Sequence, residues 1–214
     1  MKHEEALEVV GEMQRIAERT TLYTILPKQA AVIGGGLALA GCVVSYAMIQ
    51  SLDFSQVMRC SQMEQLIFVA MWMVIGITAI VQDVILTTLD AKKQGIFQLK
   101  RPGKLSAYSL TPSVFVAVVI TAKLLMSTDM EITMQNIRYI APVWMMCYGT
   151  GVYAAGLFSV RLPRLLGLAF IIMGTAGLLF FESYGIVLVG LSFGLMHIIF
   201  GLIVIGRTGR SQQK

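Results

Sequence analysis

The chain is 56% hydrophobic and 14% charged, so the few ionisable groups inside its apolar stretches are where chemistry would reside. Such groups are costly in lipid and are site candidates by default. Asp83 stands beside Gln82 in the inner third of one apolar run. Its helical face carries Trp72, Gly76, Thr87 and Asp90, the most polar stripe in the sequence. That stripe is expected to face a bundle interior or a wet cavity. There the carboxylate either handles a proton or cation, or is simply hydrogen-bonded near the cytoplasmic interface. Its position two turns from the adjoining loop favours the second use. His197 occupies the middle of the last apolar run, on one α-helical seam with Gly190, Gly194 and Gly201. Its two ring nitrogens can bridge neighbouring helices, and as a titrating group it would work near neutral pH. A lone buried histidine more often serves packing. Lys123 lies near the outer end of its run and can snorkel outward. Asp83, Gln82 and His197 therefore form the candidate intramembrane polar site.

Other constellations fail on context. Gly190-Leu191-Ser192-Phe193-Gly194 matches the G-x-S-x-G pattern of a hydrolase nucleophile, but that pattern needs a sharp strand-to-helix turn. On an α-helix Ser192 and His197 point roughly 140° apart and cannot meet on one face. Two histidines, one of them the cytoplasmic His3, cannot hold a haem between spans. No Cys-x-x-Cys, His-x-x-x-His or phosphate-binding glycine loop occurs. Cys42, Cys60 and Cys147 make no disulfide framework. Met58, Cys60 and Met63, with Met126, Met130 and Met134, are the soft donors that suit Cu(I). Chance clustering among 14 methionines is the stronger explanation. No catalytic residue, cofactor or metal ligand is assigned, and the chain is expected not to be an enzyme.

The elements that position these residues are apolar runs of membrane-spanning length. They fall at Ala30–Ser51, Glu64–Leu89, Ala107–Ser127, Tyr139–Ser159, Leu165–Phe181 and Gly185–Gly206. Each suits a helix of the ~17–25 residues that cross hydrocarbon, where backbone groups must be satisfied within the segment. Strand-like alternation is missing, which argues against a barrel. The expected fold is an all-α bundle of six transmembrane helices, spanning 30–206, with no room for a separate soluble catalytic domain.

Lys and Arg set the orientation. Lys2, Arg15, Arg19, Lys28, Lys92, Lys93, Lys100, Arg101, Lys104, Arg161, Arg164, Arg207, Arg210 and Lys214 fall on one side when the N-terminus is inside. Arg59 and Arg138 fall on the other. Both termini are thus expected in the cytoplasm, with 207–214 as a basic tail. The net charge of +5 is then a lining of basic groups facing anionic lipid, and nucleic-acid binding is not expected.

Residues 1–29 read as a cytoplasmic amphipathic helix and linker, because Glu4, Glu5, Glu8, Glu12 and Glu18 are wrong for a cleavable leader. Ala6, Val9, Met13, Ile16 and Thr20 repeat at helical spacing, and the acidic polar face favours a protein contact over a lipid surface. Pro27, Pro112 and Pro163 each mark the approach to an inward-to-outward span, where proline suits the first helical turn. Ala30, Gly34, Ala38, Gly41 and Ser45 line one face of the first span, and Gly149 with Gly156 one face of the fourth. Small seams of this kind let helix backbones approach closely, within one bundle or between copies in a homo-oligomer.

Four segments carry a family resemblance. They are Glu18-Arg19-Thr20-Thr21-Leu22-Tyr23 with Leu26-Pro27, Val143-Trp144-Met145-Met146-Cys147-Tyr148-Gly149 through Ser159, Arg164-Leu165-Leu166-Gly167-Leu168-Ala169-Phe170, and Gly194-Leu195-Met196-His197. Over nearly the whole chain the sequence resembles a family of small bacterial six-helix inner-membrane proteins without an assigned activity. The resemblance implies a bacterial inner membrane and a six-helix bundle, and it brings no catalytic residues. The leading expectation is a non-enzymatic membrane protein acting through a protein partner at its cytoplasmic face. The alternative is a small transporter or channel subunit using Asp83, Gln82 and His197 as a polar path.

Overall fold

The computed structural model describes residue 11 and residues 28–93, 101–157 and 161–211; the proposed N-terminal amphipathic helix and Pro27 lie outside them. The described residues are almost all helical, with no strand among them. Five long helices come first: α1 (Lys28–Ile49), α2 (Gln62–Lys93), α3 (Arg101–Leu125), α4 (Met130–Leu157) and α5 (Arg161–Phe180). The last rod is α-helical over Gly185–Val189 (α6), π-helical over Gly190–Met196 and α-helical again over His197–Ser211 (α7). Short 3₁₀ turns cover Phe54–Arg59 and Glu182–Tyr184.

Among the described residues, five segments are long and apolar enough to cross a membrane: Gln29–Ile49, Gln62–Leu86, Tyr108–Leu125, Arg161–Phe180 and Glu182–Gly206. The exception among the long helices is α4, with 28 residues. Tyr139, Trp144, Tyr148, Thr150 and Tyr153 dilute its apolar character. Yet α4 is central. It packs along both α3 and α5, and buries Ile137, Ala141, Met145 and Val152. Several of its polar side chains are spent on protein neighbours: Trp144 donates to Thr121 Oγ1 of α3 at 2.8 Å, and Asn136 to the Leu124 carbonyl at 2.9 Å.

Helix ends follow local chemistry. Ser61 and Glu64 form a reciprocal capping box at the start of α2, with Ser61 N donating to Glu64 Oε2 at 2.8 Å. Asp129 accepts from the backbone N–H groups of Glu131 and Ile132 and opens α4. The proline expectation holds for Pro163, third residue of α5, but is corrected for Pro112. Helix α3 begins at Arg101, so Pro112 lies within it. Pro142 is likewise inside α4, where its ring faces Gly177 of α5.

Glycines and small residues set the helix spacing. Two adjacent faces of α1 are used. Gly34 and Gly41 face Gln82, Trp72 and Ile75 of α2, while Gly35 meets the other side of the bundle. A Cβ added at Gly35 would lie 2.6 Å from the Gly194 carbonyl oxygen and 2.7 Å from Ile198. Gly149 and Gly156 of α4 face Gly167 and Arg164 of α5. A Cβ at Gly167 would come 2.5 Å from Tyr153 N. All these approaches are within the chain.

The segment between α1 and α2 is no simple loop. Phe54, Ser55 and Val57 of its 3₁₀ turn are buried. Phe54 meets the edges of Phe68 and Trp72, with ring centroids 5.6 and 5.8 Å away. Asp53 and Arg138 are joined: Arg138 Nε donates to Asp53 Oδ2 at 2.9 Å. Arg138 lies inside α4, which begins at Met130. The other Asp53 oxygen accepts from Ser55 N at 2.8 Å.

Gly167→Val should lower stability in detergent by about 1–3 kcal/mol, because backbone faces the new side chain and cannot yield. Gly76→Ala, with nothing within 4 Å of the added Cβ, should leave the thermal midpoint unchanged. Equal behaviour of the two variants in a melting experiment would contradict the packing described.

Candidate functional site

The three residues singled out from sequence lie on α2 and α7, and a fourth, Tyr148 of α4, joins them. Tyr148 Oη lies 2.8 Å from His197 Nε2. His197 Nδ1 lies 3.3 Å from the Ser192 carbonyl oxygen. A carbonyl oxygen only accepts, so Nδ1 carries a proton. In the neutral imidazole Nε2 is then the acceptor, and the Tyr148 hydroxyl donates to it.

Local structure explains the contact with Ser192. The π-helical stretch widens the turn, so residues five apart approach one another. This corrects the expectation that Ser192 and His197 stay on opposed faces. The corrected contact still builds no nucleophile. His197 meets the Ser192 carbonyl, while the Ser192 hydroxyl donates to Leu188 O at 2.7 Å. The same widening splits the predicted seam. Gly190 and Gly194 face Leu39 of α1, but His197 turns to Tyr148 and Phe170.

Rings close around the pair. Phe170 of α5 is fully buried and lies 5.1 Å from Tyr148 and 5.3 Å from His197, centroid to centroid. Phe193 stacks on His197 at 6.0 Å with an interplanar angle of 10°. Such packing fixes both polar side chains in one orientation.

Gln82 donates to the Ala30 carbonyl of α1 at 3.2 Å, which anchors this part of α2. Ala31, the next residue, belongs to the core cluster against which Tyr148 packs. Asp83 is half-buried beside that anchor. Among the described residues it has no hydrogen-bond or ion-pair partner. Its predicted stripe is only partly turned inward: Trp72 donates to Ser45 of α1 at 3.1 Å, whereas Gly76 is exposed. The side chains of Thr87 and Asp90 lie outside the described residues. Lys123 is exposed near the end of α3.

The sulfur-rich segments do not gather. Met58 packs on the core around Cys42 and Phe54, while Met63, Met126 and Met130 are exposed. Cys60 Sγ points to the Gln56 carbonyl. No group of three or more His, Cys, Asp or Glu suited to a metal ion occurs among the described residues.

Sequence reading missed Tyr148 because a tyrosine in an aromatic-rich apolar run carries no distinguishing mark. Its one signal is position: Tyr148 follows Trp144 by four residues, so both project from neighbouring turns of one helix. No protein-family model, curated protein or solved structure matches the chain.

Tyr148→Phe removes the donor to a buried nitrogen and should cost about 1–3 kcal/mol of stability. Ser192→Ala breaks a bond within its own helix and should cost clearly less, about 1 kcal/mol. Denaturation of the two variants in detergent, compared with the wild type, tests the order.

Proposed function

We propose that this chain is a six-span protein of the bacterial inner membrane, with both termini in the cytoplasm, that passes a proton or small cation through a polar site within its helices. Helix α4 supplies the sixth crossing, with Trp144 and Asn136 bonded to α3 and Tyr148 to α7. The Lys and Arg distribution supports the orientation. The observation that carries the functional reading is the Tyr148–His197 hydrogen bond between α4 and α7, enclosed by the rings of Phe170 and Phe193. Asp83 of α2 is half-buried and, among the described residues, makes no hydrogen bond or ion pair. An ionisable group held at such a cost without a partner suits transfer better than support. Gln82 takes a different part from the one expected of it. Its amide holds α2 to α1, so it positions Asp83 and is not a step in the path.

The transporter or channel reading is preferred over action through a cytoplasmic partner because His197 meets Tyr148 of another helix inside the bundle, whereas the segment proposed to meet a partner lies outside the described residues. Purified protein in liposomes loaded with a pH-sensitive dye should carry protons down an imposed gradient. Asp83→Asn and His197→Ala should reduce that flux to the level of empty liposomes, while both variants elute and melt as folded protein. Absence of flux in the wild type under a proton, sodium or potassium gradient would return the argument to the partner reading. Reporter fusions after positions 97 and 211 should read cytoplasmic, and fusions after 56 and 128 external.

A further inference from the structure

We infer that the segment between α1 and α2 is an outer gate: its 3₁₀ turn, Phe54–Arg59, lifts to open the polar site toward the external face and seats to close it. The inference rests on the transport reading and orientation given above, and adds the element that controls access to the site.

The turn stands where a gate is needed. Phe54 is buried in one apolar cluster with Cys42 of α1, Ile137 of α4 and Val189 of α6. Phe193 packs against that cluster and also against the neighbouring one, on which Tyr148 packs. The Phe193 ring in turn stacks on His197. A continuous series of packed side chains therefore runs from the turn through Phe193 to the histidine. Displacing Phe54 uncovers its outer end.

Few ties hold the middle of the segment down. Arg138 of α4 donates to Asp53 at 2.9 Å, and Ile186 N donates to the Leu52 carbonyl at 3.1 Å. The Phe54 ring rests against Gly185, where an added Cβ would come within 2.6 Å of it. The Arg138 side chain is 34% exposed, so water can compete for the ion pair. Both ends of the segment are anchored more firmly. Gln65 of α2 donates to the Met58 and Cys60 carbonyls at 3.2 and 3.0 Å. At the other end Gln50 turns the chain out of α1 with φ 54°, a left-handed conformation that is costly for a residue with a Cβ.

One group opposes the seated position. Ser55 is fully buried, and its hydroxyl has no hydrogen-bond partner. A buried unsatisfied hydroxyl is expensive, and water supplies the missing partner once the turn lifts. Ser55 thus favours opening, while the ion pair of Asp53, two residues earlier, favours closing. A purely structural plug gains nothing from that hydroxyl.

Cys42 reports the position of the turn, because it is buried in the same cluster as Phe54. The test uses the full chain in lipid nanodiscs with Cys60→Ser and Cys147→Ser, which leave Cys42 as the one thiol. A water-soluble maleimide should label it slowly. Arg138→Gln should speed labelling about tenfold and Ser55→Ala should slow it severalfold, the scale of one buried polar interaction. Flux in liposomes should follow, rising in Arg138→Gln and falling in Ser55→Ala, although the alanine variant melts no lower than the wild type. Lower flux from an equally stable protein is not what a merely structural role produces. Gly167→Val, which loosens the contact of α4 with α5 away from the turn, should leave Cys42 labelling unmoved. The gate is overturned if Ser55→Ala does not slow labelling, or if Gly167→Val speeds it as Arg138→Gln does. Labelling that responds as expected in a protein without flux would sink the transport reading and leave a mobile turn. Flux that neither Arg138→Gln nor Ser55→Ala alters would sink the gate and leave the transport reading.

Discussion

The contact of Gly35 with the backbone of Gly194 is the constraint on which much of the molecule depends. Between apolar helices in lipid there is no hydrophobic drive, so association relies on close backbone approach and interhelical hydrogen bonds. At Gly35 a single methyl group would already collide with the Gly194 carbonyl. That carbonyl lies within the π-helical turn Gly190–Met196. A π-turn inside an α-helix loosens the ordinary ladder and needs outside support. Here α1 lies directly against it, with Leu39 on one side and Ile198 packed on Gly35. The turn in turn aims His197 away from α1 and toward α4. Packing of glycine on backbone is thus the first cause of the Tyr148–His197 bond.

Side-chain hydrogen bonds then act as individual clasps between neighbouring helices. Trp72–Ser45 and Gln82–Ala30 join α2 to α1, Trp144–Thr121 and Asn136–Leu124 join α3 to α4, and Tyr148–His197 joins α4 to α7. Arg138–Asp53 adds a clasp between α4 and the segment beyond α1. Each bond satisfies polar groups that an apolar exterior cannot. Helices α2 and α3 have mainly one long neighbour each, α1 and α4 respectively. For them a pair of directional bonds fixes rotation that one packed face alone would leave loose.

How far these features were legible in the sequence depends on the range over which each is determined. Apolar runs are local, and each predicted span overlaps a helix, but α4 begins at Met130 against the predicted Tyr139 and is not among the five segments apolar enough to cross a membrane. Helix ends were less legible: α2 and α3 run beyond their apolar cores because polar residues are equally good helix formers outside them. Asp53 and Arg138 are separated by 85 positions, so only the folded chain reveals the pair. The π-turn was invisible, since glycine-rich apolar sequence is also ordinary transmembrane helix. Assuming an uninterrupted α-helix misplaced His197 on the glycine seam and separated it from Ser192. Asp83 and His197 were identifiable because charge in an apolar run is rare. Tyr148 was not, although it is the hydrogen-bond partner of His197.

The candidate site combines two unlike mechanical environments. Tyr148 and His197 sit among Phe170 and Phe193, in the part of the bundle where α4, α5 and the α6–α7 rod converge. Asp83 comes from α2, whose adjoining flank is exposed and apolar through Met73, Ile77, Ile80 and Val84. A donor–acceptor pair locked by packed rings keeps its geometry, while the carboxylate is carried by the helix with the fewest neighbours. A shift of α2 along α1 would therefore change the distance from Asp83 to Tyr148 without disturbing the Tyr148–His197 bond.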